Sequence, residues 1–315
     1  MTLDYWNGQG SKLRSSETVK IHLRYWTDFW GDASVGAVRD QRRQEAFRLH
    51  LAEKGLAHNS VNRCLEVGRA AIRRAWRRGV ISSAPFIQTL PAIETQPMGR
   101  PLTKDEARAL YHGATQDHVR LFILIGLATG ARPEAITDLT WDRIGFNSGI
   151  IRFNPDGRAQ TKKHRPEVRV GPTLLDDLKK YHAKRQGDYV IMFRNRHVHR
   201  LDTGWKKALT ASGLDRRVNL YSLRHTVARY LRMNGVDTME VANLLGHRKL
   251  GFDMTMRYAP HDPSYLKKSV DVLDGLISFC LSAYQLRGDA DLSSPLLSGV
   301  PLEENHVEAD TWLPQ

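Results

Sequence analysis

The chain has 315 residues, and 47 lysines and arginines against 34 aspartates and glutamates give it a formal net charge of +13. This length allows two domains with apolar cores and excludes a wholly disordered chain, while the positive charge favours a polyanionic partner. The longest uninterrupted apolar stretch, Leu121 to Ala128, is far shorter than the roughly 20 residues of a membrane-spanning helix, so no membrane association is expected.

The chain contains two cysteines, Cys64 and Cys280, too few for a disulfide framework. No apolar segment follows a basic N-terminus, as a secretory signal would require. We therefore expect a cytoplasmic protein.

Three amphipathic helices are predicted in the first 80 residues. The first runs from Ser16 to about Trp30, and the second runs from Asp40 to Lys54 and is closed by Gly55. The third begins with Asn59 or Ser60 as its cap. Its apolar stripe consists of four residues: Val61, Leu65, Ile72 and Trp76.

Six arginines occupy the other faces of the third helix, where Glu66 is the one acidic residue: Arg63, Arg69, Arg73, Arg74, Arg77 and Arg78. A solvated helix surface is the ordinary explanation of such a run. This density of positive charge on a short helical region is better explained if the helix lies against a DNA backbone.

A proline-rich connection between about Ser82 and Pro101 marks a domain boundary. A new helix begins directly after it, because Thr103 and Glu106 have the spacing of a capping box. The next helix, about His118 to Thr129, is almost entirely apolar and ends at Gly130. We expect it in the core of a second domain.

Two alternating stretches, Ile150 to Phe153 and Val168 to Val170, predict a small antiparallel sheet. The loop between them contains the basic run Lys162, Lys163, His164 and Arg165. Helical patterns follow at Leu174 to Lys184, Trp205 to Ser212, Leu223 to Asn234, Thr238 to Leu245 and Asp262 to Ala283. Residues 285–315 hold one arginine against six acidic residues, a net −5, which predicts a flexible acidic tail behind a body of charge +18.

Three segments carry the residues best suited to chemistry: TGARPE at 129–134, YSLRHT at 221–226, and LLGH at 244–247 with Tyr258 eleven residues later. Each is a weak signal alone. Arg132 could pair with Glu134, Arg224 could be part of a charged helix start, and His247 could follow a helix C-cap.

In this order and spacing, the segments resemble the tyrosine recombinase family, also called phage integrases. That family has an Arg in a Thr-Gly-x-Arg turn, a Lys on a β-hairpin, a His-x-x-Arg-His box, a Leu-Gly-His box and a downstream Tyr. The resemblance covers Thr103 to Ala259. It implies a mainly α fold with a small antiparallel sheet, a helical core-binding domain at 1–95, a catalytic domain at 100–284 and the acidic tail at 285–315.

The resemblance implies that Arg132 and Arg224 bind the nonbridging oxygens of the scissile phosphate. A rigid guanidinium fork suits the charge that gathers on those oxygens and does not lose its proton. Tyr258 would attack phosphorus and leave a 3′-phosphotyrosine and a free 5′-OH. Because the bond energy is retained, neither ATP, metal nor another cofactor is expected.

The leaving 5′ oxygen needs a proton, which a hairpin lysine supplies in the family. Lys162 and Lys163 are both placed for this, and Lys162 is preferred because it directly follows Thr161. His247 matches the position that binds the phosphate. Tyr221 replaces the first His of the box, and a phenol is a poor base at neutral pH, so removal of the proton from Tyr258 is expected to differ in detail.

The sequence therefore predicts a site-specific recombinase or integrase of a phage or mobile element, acting on double-stranded DNA in the nucleoid. The family implies a homotetramer on DNA, with an accessory DNA-bending or directionality factor as a further partner. The helix around Val270 to Tyr284 would either dock on a neighbour or cover its own core. The rival hypotheses are a type IB topoisomerase and a catalytically silent DNA-binding module of the same fold. A metal-dependent nuclease is disfavoured, since no carboxylate cluster with two-metal spacing stands out.

Overall fold

A computed structural model describes residues 1–13, 15–93, 98–160, 163–247 and 262–284. The chain divides into two compact units, Met1–Thr95 and Gln96–Gln315. The described residues are mainly helical with small antiparallel sheets, as predicted. The predicted acidic tail, 285–315, lies outside the described residues. No helix among them is long and apolar enough to cross a membrane.

Among its described residues the first unit has four α-helices: α1 (Thr2–Gly8), α2 (Ser16–Trp30), α3 (Gln41–Glu53) and α4 (His58–Arg77). The predicted bounds of α2 are confirmed, and Asp40 caps α3 by accepting hydrogen bonds from the first backbone N–H groups of the helix. Aromatic rings of Trp26, Trp30 and Phe47 form much of the core. Apolar residues at helical spacing thus build the unit as the sequence indicates.

Helix α4 differs from its prediction at both ends. It begins at His58 after Ala57, without a side-chain cap, so the predicted cap at Asn59 or Ser60 is wrong. Trp76 is 48% exposed, because the buried stripe continues from Ile72 through Ala75. At Gly68 a Cβ atom would lie 2.0 Å from the Trp26 ring, so a glycine is needed where the ring packs against α4.

The second unit has eight further α-helices among its described residues. They are α5 (Lys104–Gly113), α6 (Asp117–Thr129), α7 (Pro133–Thr137), α8 (Pro172–Ala183), α9 (Asp202–Ala211), α10 (Ser222–Met233), α11 (Thr238–Leu244) and α12 (Lys267–Leu281). The capping box of Thr103 and Glu106 is present, and every residue of α6 after Asp117 is buried except Arg120, which is half-buried. Helix α6 is therefore the centre of this unit's core.

A three-stranded antiparallel sheet consists of β1 (Ile144–Gly145), β2 (Ile150–Arg152) and β3 (Glu167–Arg169), in the order β1-β2-β3. Ile151 faces Val168 across the central pair, and both are fully buried. The long connection between β2 and β3 is the predicted basic loop. A short hairpin, β4 (Met192–Phe193) and β5 (Arg196–His197), was not predicted.

Helix α12 packs within its own unit. Leu273, Leu276 and Ile277 are buried in the same core as α6, and Asp274 accepts hydrogen bonds from the backbone and side chain of Thr173 at the start of α8. Of the two alternatives for this helix, the structure shows the one in which it covers its own core.

Candidate active site

A sharp turn after α6 presents Arg132. Gly130 ends α6 in the left-handed conformation at φ +60°, and a Cβ there would lie 2.5 Å from Leu245 Cδ2. Arg132 is the N-cap of α7 and is followed by Pro133 at the first helical position. A side chain at position 130 would be strained and would clash with Leu245, so glycine is required at this turn.

Arg224 joins three segments of the second unit. It lies in the first turn of α10, is 9% exposed, and donates hydrogen bonds to Gly130 O at 2.9 Å and Leu245 O at 2.8 Å. It also donates to His247 Nε2 at 3.0 Å. The TGAR turn, the α10 box and the LGH segment are thus held together by one guanidinium group.

The β2–β3 loop approaches the same place. Arg132 Nη1 donates to His164 O at 2.8 Å. Gly246, at φ +68°, lies so close that a Cβ atom would be 2.8 Å from Pro166 Cδ and 3.1 Å from His164 O. The glycine of the LGH segment is therefore required for the loop to pack beside the two arginines.

The two arginines form a cationic pair. No ion pair among the described residues involves Arg132 or Arg224. Burial is the main cause that lowers the pKa of Arg224 to about 10, and the charge of Arg132 adds to it. Burial is also the main cause that lowers the pKa of Arg132, and the charge of Arg165 adds to it. Two guanidinium groups that are desolvated and repel each other create a site that favours an anion.

His247 is held in one tautomer. Because Arg224 can only donate, His247 Nε2 accepts and carries no proton, which leaves Nδ1 as the N–H donor. Burial and the charges of Arg224 and Arg132 lower the pKa of His247, so the ring is neutral at pH 7. The ring can therefore donate one hydrogen bond without acting as a cation.

Tyr221 is half-buried at the N-cap of α10. It lies near enough to Arg132 and Arg224 to interact electrostatically with both. The structure thus brings four of the predicted catalytic residues together: Arg132, Tyr221, Arg224 and His247. Lys163 is exposed in the β2–β3 loop, whereas Lys162 and Tyr258 lie outside the described residues.

The five arginines predicted on α4 and the sixth, Arg78, at its C-cap are not equivalent. Four have partners within the first unit: Arg63 pairs with Glu66, Arg69 donates to Ile87 O, and Arg74 and Arg78 pair with Asp4. Arg73 and Arg77, one helical turn apart, have no such partner among the described residues. Both line a groove of about 480 Å³ on this helix, so they are the arginines left for an external anion.

Two buried arginines were not singled out from the sequence. Arg165 is 5% exposed and pairs with Asp138 at 2.8 Å, and Arg143 is 4% exposed and donates to Thr140 Oγ1 and Phe153 O. Arg165 pairs with a residue 27 positions away, and Arg143 bonds mainly to backbone carbonyls, so no sequence motif identifies them. Among the described residues no group of three or more His, Cys, Asp or Glu side chains is placed to hold a metal ion.

A mainly helical unit that gathers two arginines without ion pairs among the described residues, a neutral histidine and a basic loop is suited to binding a phosphodiester. Comparison with known proteins identifies the family of the chain. The model of the phage integrase family matches residues 100–264, more than half of the chain. The chain therefore belongs to the phage integrase family and is a site-specific tyrosine recombinase.

Individual relatives agree. Tyrosine recombinase XerA of Pyrococcus furiosus is 24% identical over 279 residues, which cover 84% of this chain and 91% of that protein. The Tn1549 transposon integrase in complex with transposon right end DNA has a similar fold, with a TM-score of 0.65, 16% identity and coverage of 85% and 96%. A lambda integrase tetramer bound to a Holliday junction has a TM-score of 0.62, 18% identity and coverage of 79% and 76%.

Proposed function

We propose that the second unit cleaves and rejoins duplex DNA with Tyr258 as nucleophile and with Arg132, Arg224 and His247 as the binding site of the scissile phosphate. The observation that carries the proposal is the pair of buried Arg224 and half-buried Arg132, whose hydrogen bonds among the described residues go to neutral carbonyls and to His247 instead of to carboxylates. Such a pair is costly unless a phosphate compensates its charge.

In the proposed step the Tyr258 hydroxyl gives up its proton to the solvent, its oxygen attacks phosphorus to form a phosphotyrosine, and the P–O5′ bond breaks. The departing O5′ takes a proton from the ammonium group of Lys162 or Lys163, which becomes a neutral amine. Charge on the nonbridging oxygens is stabilised by the two guanidinium groups, and His247 Nδ1–H donates to one of them. A DNA hydroxyl that attacks the phosphotyrosine reverses every bond change, so the cycle has no net oxidation or hydrolysis.

The first unit, 1–95, is proposed to be the core-binding domain, and 100–284 the catalytic domain. The arginines of α4 supply phosphate contacts, with Arg73 and Arg77 the most available. The acidic tail at 285–315 is proposed to be an interaction segment. With these assignments we propose that the chain acts on DNA in the nucleoid.

Recombination joins two DNA sites, and the lambda integrase that this fold resembles is a tetramer bound to a Holliday junction. We therefore propose that four copies of this chain assemble on DNA, with a DNA-bending or directionality factor as an accessory partner. Since the apolar face of α12 is used within its own unit, contacts between copies must use other surfaces.

The test is the covalent adduct. A duplex with a nick next to the cleavage position traps the phosphotyrosine, which is detected as a protein–DNA band resistant to boiling in detergent. Tyr258→Phe should abolish the band and leave DNA binding intact, because a single hydroxyl is removed. Tyr265→Phe, at an exposed tyrosine seven residues further along, is the matched control and should retain the band. An adduct that persists in Tyr258→Phe would contradict the proposal.

A further inference from the structure

Gln160 closes the loop that carries the two lysines. Its Oε1 accepts a hydrogen bond from Arg165 N at 3.1 Å, and its Nε2 donates to Arg165 O at 2.9 Å. One side chain therefore satisfies both backbone groups of a residue five positions later. Four residues, 161–164, lie between these ends.

The Arg165 side chain fixes the end of this loop to α7. Arg165 is 5% exposed and its Nη2 donates to Asp138 Oδ2 at 2.8 Å, directly after the last residue of α7. Asp138 O in turn accepts a hydrogen bond from Arg143, which is also buried. Helix α7, whose N-cap is Arg132, is thus followed directly by Asp138, the residue that binds the Arg165 side chain.

Two more contacts connect the loop to the phosphate site. His164 O accepts from Arg132 Nη1, and Gly246 packs against His164 O and Pro166. The loop end is therefore attached to the arginine turn, to α7 and to the LGH segment. Through its two hydrogen bonds to the Arg165 backbone, the Gln160 side chain holds the start of the loop next to this fixed end.

From this geometry we infer that Gln160 and Arg165 are positioning residues for the lysine that protonates the leaving oxygen. The inference rests on the proposed function, in which Lys162 or Lys163 is that acid. General acid catalysis requires the donor to lie within hydrogen-bonding distance of the oxygen. Because Gln160 and Arg165 are held next to each other, chain connectivity confines the residues between them to this region and limits the positions open to the lysine.

The experiment compares two cleavage substrates that differ in one atom. In the second, sulfur replaces the bridging 5′ oxygen, so the P–S bond breaks and a thiolate leaves. A thiol has a pKa near 8.5, far below that of an alcohol or water, so this leaving group needs no proton. A defect in delivery of the proton therefore slows the oxygen substrate and spares the sulfur substrate.

Gln160→Ala is the variant to test, because Gln160 is exposed and its loss leaves the buried Arg165–Asp138 pair intact. We expect cleavage of the oxygen substrate to slow about tenfold, a part of the roughly 10²–10⁴-fold that general acid catalysis contributes. Cleavage of the sulfur substrate should stay within about twofold of wild type. Ser148→Ala, which removes a side-chain hydrogen bond from the turn at the other end of β2, should leave both rates unchanged.

Lys162→Ala and Lys163→Ala separate the possible failures. If the sulfur substrate restores the cleavage rate of neither lysine variant, or if neither variant is slow on the oxygen substrate, the proposed acid is wrong and the inference fails with it. If sulfur restores a lysine variant but Gln160→Ala is equally slow on both substrates, Gln160 is only structural and the inference is overturned while the proposed function stands. Wild-type rates for Gln160→Ala on both substrates would also overturn it.

Discussion

Replacement of Arg132 by methionine should abolish cleavage with little loss of stability. Burial and the charge of Arg132 lower the pKa of Arg224 from 12.5 to about 10, and at about 1.4 kcal/mol per pKa unit the charged form is disfavoured by about 3 kcal/mol. Burial is the larger cause, so removal of the Arg132 charge stabilises the folded protein by only a minor part of this free energy. The lost hydrogen bond to His164 O costs about 1 kcal/mol in the opposite direction.

The two effects nearly cancel, so the free energy of unfolding should change by no more than about 1 kcal/mol, or roughly 4 °C in Tm. Arg143→Met is the matched comparison. Arg143 is 4% exposed and donates to Thr140 Oγ1, Phe153 O and Asp138 O, so its loss leaves buried acceptors without donors. That variant should lose about 3 kcal/mol.

Thermal unfolding of both variants and the adduct assay on nicked DNA are the measurements. Arg132→Met should give no adduct at a nearly wild-type Tm, while Arg143→Met should have a clearly lower Tm. If Arg132→Met is destabilised as strongly as Arg143→Met, Arg132 has a structural role and the argument from its unpaired charge is refuted.

Gly246→Ala should lower both Tm and the cleavage rate, because φ is +68° and a Cβ would lie 2.8 Å from Pro166, whereas Gly157→Ala, at φ +75° with open space, should leave the cleavage rate unchanged. Burial and the charges of Arg224 and Arg132 lower the pKa of His247 in the folded protein. As the pH falls below about 6.5, the unfolded chain is therefore protonated first, and the free energy of unfolding should decrease. An NMR titration of His247 in the folded protein with a pKa above that value would contradict this. Arg73→Ala with Arg77→Ala should reduce the slope of log affinity against log salt by about 2, and Arg63→Ala by less; equal slopes in all variants would count against contact between α4 and DNA.

Local signals predicted most of the helices. The bounds of α2 are confirmed, and the capping box before α5 and the glycine after α6 are where the sequence places them. These features depend on neighbouring residues, since apolar periodicity and caps act within one or two turns. The structure brings the segments TGAR, YSLRHT and LGH together through the long-range hydrogen bonds of Arg224, and their catalytic role stays a prediction.

The errors arise where packing or distant partners decide. Trp76 continues the apolar pattern of α4 but is 48% exposed, because Ala75 takes the buried position in the last turn. The β4–β5 hairpin turns through Arg194 and Asn195 at φ +50° and +62°, without the glycine that usually signals such a turn. Arg165 was read as one member of a basic run, and its pairing with Asp138 across 27 positions is not visible in the sequence.

The distribution of partners explains why net charge alone was a limited guide to function. On α4 the high density of arginine suggested DNA contact for all six, yet four have partners within the first unit. In the second unit, buried Arg224 lies beside half-buried Arg132, and no ion pair among the described residues compensates either charge. Because these two guanidinium groups are desolvated and also repel each other, the pair indicates a phosphate site better than the number of arginines does.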